Sequence, residues 1–422
     1  MKKVFLFLTL AMIACNDEGI VDPPVVEEPR EAVLAGTITD ARTLNSDTVY
    51  TITGIVVVDD GASLTIPAGT TVLGSTTVQP SALIVRQGGQ LFSLGTAEAP
   101  VIFTSANEEG SRKRGDWGGV VINGRSQCNF PAGQCVGEGA SGPYGGDVLD
   151  DNSGTITFTR IEFAGYEVSF GNELNALTLN GVGSGTTIHH VQVHYGSDDG
   201  VELFGGTVDL KYILATGISD DSFDYSTGWS GRGQFWIAQQ DPDDGDNGFE
   251  VDGNEDDYNA TPLTDPLIYN VTLVGKGLDG VGGTDGESVD GLRLRRGTGG
   301  DIFNAIVVGF GNSGIDIDNE ETVGRLSVQN SIIARNAVDV ATDSDGFQDL
   351  IYTEEWNNVI GVDPEMVSPF NRDSPDFRTS QVLIGATPPN DGFFDVNATF
   401  IGAVDPSQTT QWFEGWTTFS KN

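Results

Sequence analysis

Short apolar segments separated by Gly, Thr, Asn and Asp recur along most of the chain. Three of them share one template, a Gly-Thr pair followed by alternating or doubled apolar positions: Gly154–Phe163, Gly185–His194 and Gly206–Ala215. The second and third begin 21 residues apart, and the turn Ser197-Asp198-Asp199 returns 22 residues later as Ser219-Asp220-Asp221. Strand and turn therefore repeat in step, which is typical of a chain that winds one rung at a time.

A second repeated corner is marked by Asn. The segments Ile268–Val274, Ile302–Val308 and Val328–Ala334 each place an Asn before an apolar run, with spacings of 34 and 26 residues. We predict an all-β parallel β-helix in which equivalent strands stack around a narrow core and corner amides pair from rung to rung. The competing fold, a sandwich of antiparallel strands, does not explain the constant distance between the two Ser-Asp-Asp turns.

No linker interrupts this series, so residues 34–343 are predicted to form one continuous solenoid. Residues 344–422 are less repetitive and are predicted to be an irregular cap that protects the open edge of the last rung. The aromatic residues proposed for this cap are Phe393, Phe394, Phe400, Trp412, Phe413, Trp416 and Phe419.

The first residues resemble an export signal. Two lysines precede an apolar run that is too short to span a bilayer, and Met12–Cys15 resembles a bacterial lipobox. We therefore predict a signal peptide at 1–14, acylation of Cys15, and an acidic, Pro-containing tether at 15–33. The acidic step Asn16-Asp17-Glu18 directly after Cys15 resembles the surface-export signal of Bacteroidota lipoproteins, and this resemblance implies attachment to the outer membrane, facing the cell exterior. An ordinary cleaved signal with a chance cysteine is the alternative.

Cys128 and Cys135 remain once Cys15 is lipidated. In an exported protein, a disulfide that closes this short loop is the expected outcome. A metal site is the alternative, but no His or second Cys pair lies nearby in the sequence.

Composition narrows the possible partners. The 422 residues include 61 Asp and Glu against 21 Lys and Arg, which gives a formal charge of -40. Such a chain lacks the basic face that nucleic-acid binding requires. It would also repel an acidic polysaccharide unless Ca²⁺ bridged the two, so a neutral glycan or an outer-membrane protein is the expected partner.

A set of short motifs is distributed along the chain: Leu64–Thr70, Pro100–Ser105, Arg114–Ile122, Phe204–Thr207, Asn270–Gly275, Leu292–Arg296, Gly402-Ala403 and Glu414–Trp416. Taken together, these motifs resemble a family of Bacteroidota surface lipoproteins that have a right-handed parallel β-helix. The resemblance runs from about residue 34 to the end and implies fold and location, but no activity.

Carboxylates cluster along the solenoid, first Asp198, Asp199 and Glu202, then Asp220, Asp221 and Asp224. Residues one period apart stack on one face, so each such pair would share a proton or recruit a cation. Asp199, Asp221 and Asp224 are the candidate catalytic residues of a polygalacturonase-like hydrolase or a polysaccharide lyase. Leu292–Arg295 is loosely similar to an Arg-Ile-Lys segment of polygalacturonases, but their Gly-His-Gly element is missing. The alternative is that these Asp residues are solvated corner residues.

The densest acidic stretch suggests Ca²⁺, which prefers hard oxygen ligands, although EF-hand spacing is not met and a solvated loop is the alternative. Its candidate ligands are Asp241, Asp243, Asp244, Asp246, Glu250 and Asp252. Trp117, Trp229 and Trp236 are candidates for sugar stacking, with interior packing as the alternative.

Two functional hypotheses follow. The first is a non-enzymatic, lipid-anchored binding subunit on the cell surface, working beside a TonB-dependent transporter, since no complete catalytic set is visible. The second is a carbohydrate-active enzyme that uses the stacked Asp residues.

Overall fold

The computed structural model describes residues 30–131, 135–277, 289–341 and 347–422. The predicted signal peptide, Cys15 and most of the tether lie outside the described residues. Nearly all regular structure is short β-strand, with one helical turn α1 at Glu320–Val323 and a 3-10 helix at Phe347–Tyr352. In these ranges no helix has the length and apolar character that crossing a bilayer requires.

The strands are numbered in chain order. The N-terminal strands are β1 Arg30–Ile38, β2 Ala41–Thr43, β3 Thr48–Val58, β4 Ser63–Pro67, β5 Thr71–Gly74, β6 Ala82–Val85, β7 Gln90–Leu94, β8 Val101–Ser105, β9 Val120–Asn123, β10 Cys135–Gly137, β11 Gly142–Tyr144, β12 Gly154–Glu162, β13 Tyr166–Ser169, β14 Asn172–Leu174 and β15 Leu177–Asn180. The remaining strands are β16 Thr187–His194, β17 Val201–Phe204, β18 Asp209–Thr216, β19 Phe223–Ser226, β20 Arg232–Gln239, β21 Phe249–Asp252, β22 Leu267–Val274, β23 Leu292–Arg295, β24 Gly300–Val308, β25 Ser313–Ile317, β26 Leu326–Gln329, β27 Ile332–Ala334, β28 Val338–Val340, β29 Val359–Ile360, β30 Met366–Ser368 and β31 Asp376–Thr379.

Strands of successive rungs pair in parallel. One side of the stack, face A, is built by β15, β17, β19, β21, β23 and β25, each paired with the next. The long strands β12, β16, β18, β20, β22 and β24 also pair in order, and each bends once. Their first halves form face B and their second halves form face C. These like-directed neighbours confirm the predicted parallel β-helix and rule out the antiparallel sandwich.

The interior is a set of aliphatic and aromatic columns. On face A, Val201, Phe223, Phe249, Leu292 and Ile315 stand in register on successive rungs, and all are fully buried. Burying one such side chain stabilises the fold by roughly 1.5–3 kcal/mol. Because each rung contributes one buried side chain to each column, contacts between neighbouring rungs stabilise the stack along its whole length.

The bend between faces B and C is made by one residue per rung in the left-handed conformation. His190, Tyr212 and Phe235 occupy it with φ of 54°, 61° and 61°. Non-glycine residues are disfavoured there by roughly 1–2 kcal/mol. Ring stacking offsets this cost, since the centroids of His190 and Tyr212 lie 4.4 Å apart and those of Tyr212 and Phe235 lie 4.8 Å apart.

The predicted corner asparagines continue the same column, with left-handed φ at Asn270, Asn304 and Asn330. Pairing of amides from rung to rung is observed for Asn330, whose Oδ1 accepts from Asn357 Nδ2 at 2.8 Å. Asn270 and Asn304 instead donate their Nδ2 groups to the C-terminal segment, at Phe400 O and Ala386 O.

The C-terminal segment lies along the side of the helix, not over its last rung as the sequence had suggested. Ile401, Ala403 and Phe413 pack on the outer surface of face C, whose outward side chains include Leu214 and Ile306. Face C is thus buried on both sides, which explains why its strands are almost continuously apolar. Trp412 and Trp416 lie against the His190 ring, while Phe393 and Phe394 contact each other.

The last rung is covered by an earlier piece of the chain. Ile351 and Trp356, in and just after the 3-10 helix, join the interior cluster. The strand β29, which pairs in parallel with β27, lies beyond residue 343, and β1 begins at Arg30, inside the range assigned to the tether. Regular structure therefore extends past both expected limits of the solenoid.

Candidate functional site

Three consecutive turns between face C and face A carry the same acidic pattern. They are Asp198-Asp199 with Glu202, Asp220-Asp221 with Asp224, and Asp246-Asn247 with Glu250. Glu202 stands in register with Asp224, and Asp224 with Glu250. We call the resulting set of eight residues the carboxylate row: Asp198, Asp199, Glu202, Asp220, Asp221, Asp224, Asp246 and Glu250.

A ladder of side-chain to backbone hydrogen bonds runs through the middle of these turns. Asn175 Oδ1 accepts from the Asp199 N–H, Asp199 Oδ1 from the Asp221 N–H, and Asp221 Oδ1 from the Asn247 N–H, at 3.1, 3.0 and 2.6 Å. Asn247 Oδ1 accepts in turn from the Asp290 N–H at 2.9 Å. One oxygen per residue thus fixes the turn of the next rung.

The ladder does not require charge. Asn175 and Asn247 provide the same acceptor with an amide that Asp199 and Asp221 provide with a carboxylate. A corner role therefore explains the shape of these residues but not their ionisable group. The second carboxylate oxygen of Asp199 and of Asp221 is the part that calls for a functional explanation.

The row has sharp boundaries along the stack. On the preceding rung the equivalent positions are Asn175 and Thr178, which are neutral. On the following rung they are Asp290 and Arg293, whose side chains form an ion pair of 3.2 Å. Arg295 Nη2 also lies 2.7 Å from Glu250. Among the described residues of this corner, the excess negative charge is therefore confined to three rungs.

Burial and neighbouring negative charges raise the pKa values of six carboxyl groups of the row, those of Asp198, Asp199, Glu202, Asp221, Asp224 and Glu250. For Asp199 the main cause is burial, followed by the charges of Glu202 and Asp221. For Asp224 burial is again the main cause, followed by the charges of Glu250 and Asp252. Burial and the charge of Glu173 raise the pKa of Asp198 to about 8. Without a cation, Asp198 therefore holds a proton for most of the time at neutral pH.

The donor set fits a hard divalent cation such as Ca²⁺. The row contains four overlapping groups of three carboxylates, and within each group one oxygen per residue lies within 4.8 Å of the others. Asp224 Oδ1 is shielded from solvent and has no hydrogen-bond partner. Oxygen-only ligands at such spacing, with an acceptor left unsatisfied, suit calcium better than softer metals.

The residues that the sequence suggested for Ca²⁺ divide into two sets. Asp246 and Glu250 belong to the row. Asp241 instead binds Lys421 Nζ at 2.8 Å and accepts from the Tyr195 hydroxyl at 2.6 Å. The other three are placed as follows: Asp244 pairs with Arg114, Asp252 pairs with Arg295 and Arg296, and Asp243 is exposed.

The structure does bring together the suggested catalytic residues Asp199, Asp221 and Asp224, with Asp199 and Asp221 also serving in the ladder. Sequence reasoning assigned Asp246 and Glu250 to a separate loop and so overlooked the third copy of the pattern. The sequence does contain the repeated pattern: an Asp is followed directly by Asp or Asn, and an acidic residue stands three positions after this second residue. Trp117, Trp229 and Trp236 are fully buried, so their rings are interior packing and do not stack on sugars.

A cleft of about 370 Å³ opens beside the row. The other wall comes from the loop and hairpin around the disulfide Cys128–Cys135, whose Cα atoms are 6.7 Å apart, which confirms the predicted bridge. Burial and the charge of Glu173 raise the pKa of Glu138, in this wall, to about 7. Residues lining the cleft include Phe130, Val136, Glu138, Tyr144, Glu202, Phe204, Asp224, Glu250, Asp252 and Arg296.

Fold and site together define a parallel β-helix protein with a stacked acidic cleft. The family described as pectate-lyase like beta helix domain matches residues 36–369, and the chain belongs to this family. Among solved structures, the crystal structure of pectate lyase Pel9A is similar, with 12% sequence identity, a TM-score of 0.35, and coverage of 85% of this chain and 88% of that chain. None of the curated proteins matches the sequence significantly. The lipoprotein features lie outside the matched range and stay a prediction.

Substituting Asn for Asp199 or Asp221 tests the negative charge of these residues independently of their hydrogen bonds in the ladder. Each amide keeps the ladder acceptor and removes one repelling charge, so we expect both variants to unfold at higher temperature than the wild type in chelator. Ca²⁺ at about 100 times the wild-type Kd stabilises the folded wild type by about 2.7 kcal/mol. At the same Ca²⁺ concentration, a variant that binds Ca²⁺ about tenfold more weakly loses about 1.4 kcal/mol of this stabilisation. Calorimetry with and without Ca²⁺ measures both effects.

Asp290→Asn is the matched control. Asp290 accepts from the Ser313 N–H at 2.8 Å in the same ladder but is paired with Arg293 and lies outside the row. We expect this variant to lose stability in chelator and to keep the full calcium effect. Equal changes in melting temperature for all three variants, both in chelator and in Ca²⁺, would contradict a role for the Asp199 and Asp221 charges that is independent of the ladder.

Stability should also depend on pH in a calcium-sensitive way. Asp198 of the row binds more protons in the folded protein than in the unfolded chain between pH about 4 and about 8, so its contribution to the free energy of unfolding falls as pH rises through this window. Calcium replaces the protons, so it should raise the melting temperature more at pH 8 than at pH 5. A calcium effect that is the same at both pH values would argue against the row as the binding site.

Proposed function

We propose that the protein is a calcium-dependent, carbohydrate-active β-helix protein that binds and cleaves an acidic polysaccharide in the cleft beside the carboxylate row. The observation that carries the proposal is the concentration of eight carboxylates on three described rungs, of which Glu202, Asp224 and Glu250 line this cleft. Membership of the pectate-lyase-like family supports it. The non-enzymatic binding role gains no such support.

Calcium changes the choice of glycan. The row would repel a polyanion while it is unloaded, but bound cations bring positive charge to the floor of the cleft and still need ligands beyond the protein. The carboxylates of a uronate polymer are suitable ligands of this kind. We therefore favour an acidic polysaccharide, such as the pectate of the family's name, over the neutral glycan expected from net charge.

Elimination suits the site better than inverting hydrolysis. An inverting pair holds its carboxyl groups roughly 6.5–9.5 Å apart to admit water, whereas neighbouring carboxylates of the row approach within 4.8 Å. A bound cation would neutralise the uronate carboxylate and so acidify the proton on the adjacent ring carbon. Glu138 lines the same cleft with a pKa of about 7, which suits a proton acceptor near neutral pH. As this proton is removed, a double bond forms in the ring, the neighbouring carbon–oxygen bond to the adjoining sugar breaks, and the leaving oxygen takes a proton from water.

The direct test uses polygalacturonate as the probe, with Ca²⁺ or with chelator. We expect binding and new ultraviolet-absorbing unsaturated ends in Ca²⁺ only, both reduced at least about tenfold in Asp221→Asn. Glu138→Gln should keep binding and lose cleavage, because the amide accepts no proton. Asp290→Asn is again the control and should behave as wild type.

Other outcomes are informative. Saturated reducing ends would show hydrolysis, and binding without products would show a binding module. Binding that persists in chelator would contradict the calcium-dependent mode.

We also propose that Cys15 is acylated and that the β-helix is held outside the outer membrane. The proposal is supported by the lipobox-like Met12–Cys15 and by the acidic residues Asp17 and Glu18 that follow it in the sequence. Palmitate labelling of the full chain expressed in a bacterium should mark the wild type but not Cys15→Ser, and external protease should reach the anchored protein. Label retained by Cys15→Ser would contradict the assignment.

A further inference from the structure

The cleft is asymmetric, because its floor on face A carries Glu202, Asp224 and Glu250 of the row, whereas the side formed by the disulfide loop adds an aromatic surface near Glu138. Phe130 and Phe204 pack against the buried cluster of Cys128, Cys135 and Tyr144, and neither ring is fully covered. Both rings line the cleft, Phe130 from the disulfide loop and Phe204 from β17, two residues after Glu202. An apolar surface beside an acidic one, within a single opening, is the feature to be explained.

The apolar wall is held by the body of the β-helix. The Asn129 N–H donates to Thr227 O at 2.9 Å and its side-chain Nδ2 donates to Gly253 O at 3.1 Å. Asn254 Nδ2 donates to Asn129 Oδ1 at 2.9 Å. Asn129 is thus fixed across two rungs, and the disulfide anchors the loop one residue before it. Phe130 therefore projects from a braced backbone, so its position costs little to organise on binding.

We propose that Phe130, supported by Phe204 and the disulfide, is the sugar-contacting face that selects uronate rings in this cleft. The inference rests on the proposed function. A uronate ring has apolar C–H faces and one charged edge, so it matches a cleft with an aromatic wall and a cation-loaded floor. Contact with the wall turns the carboxylate edge toward the row, and a bare divalent cation gains nothing from the wall.

The two functions of the cleft can be separated by measuring two affinities of each variant. We expect Phe130→Ala to bind Ca²⁺ as wild type does, and to bind oligogalacturonate in saturating Ca²⁺ about 2- to 12-fold more weakly, which is the range of aromatic contact energies. Phe130→Leu keeps an apolar side chain without the aromatic face and should show an intermediate loss. Isothermal titration calorimetry gives both affinities, and the melting temperature checks folding.

Tyr352→Ala is the control, because Tyr352 is an exposed aromatic residue that does not line the cleft. Unchanged oligogalacturonate affinity in both Phe130 variants would overturn the inference while leaving the proposed function standing. A parallel loss of Ca²⁺ affinity would also overturn it, since Phe130 would then only support the fold. A wild-type protein that binds no oligogalacturonate would instead overturn the proposed function, and the inference with it.

Discussion

Strict in-register stacking of rungs is the constraint on which the rest of the structure depends. A parallel β-helix places equivalent residues about 4.8 Å apart, so any side chain that recurs once per turn meets copies of itself. In the interior this is favourable, as in the column that joins Val201, Phe223 and Phe249. On the outside the same rule brings Glu202, Asp224 and Glu250 together, where it is unfavourable unless protons or cations intervene.

The repulsion between stacked carboxylates is not required by the fold, because neutral or paired residues occupy the equivalent positions on neighbouring rungs. At the ladder position the chain uses amides at Asn175 and Asn247 and carboxylates at Asp199 and Asp221, although the hydrogen bond is the same. One rung further on, Arg293 neutralises Asp290. Among the described residues, the excess of carboxylates is thus restricted to one short stretch of this corner, which is the arrangement expected of a site and not of a scaffold.

Segments outside the repeat complete the molecule by covering what the repeat leaves open. The C-terminal segment buries the outer surface of face C, and the turn that carries Trp356 closes the last rung. Phe130 and the β10–β11 hairpin, which adjoin the disulfide, form a wall beside the outward side chains of face A and so complete a cleft. Binding surfaces on solenoids often arise in this way, because insertions are accommodated at corners without disturbing the stacked strands.

The parallel β-helix was predictable from the sequence alone, because turns such as Ser197-Asp198-Asp199 and Ser219-Asp220-Asp221 recur at the same period as the apolar strands. Such a common period is expected when each turn of the chain adds one rung. The disulfide was predictable too, since Cys128 and Cys135 lie close in the chain. Tertiary structure decided the rest. The position of Asp246, either in a separate acidic loop or on the third rung of the row, depended on the path of the segment between β20 and β21. The aromatic C-terminal residues could equally have covered an end or a side, because hydrophobic burial is non-directional and only the shape of the assembled stack selects the surface that they cover.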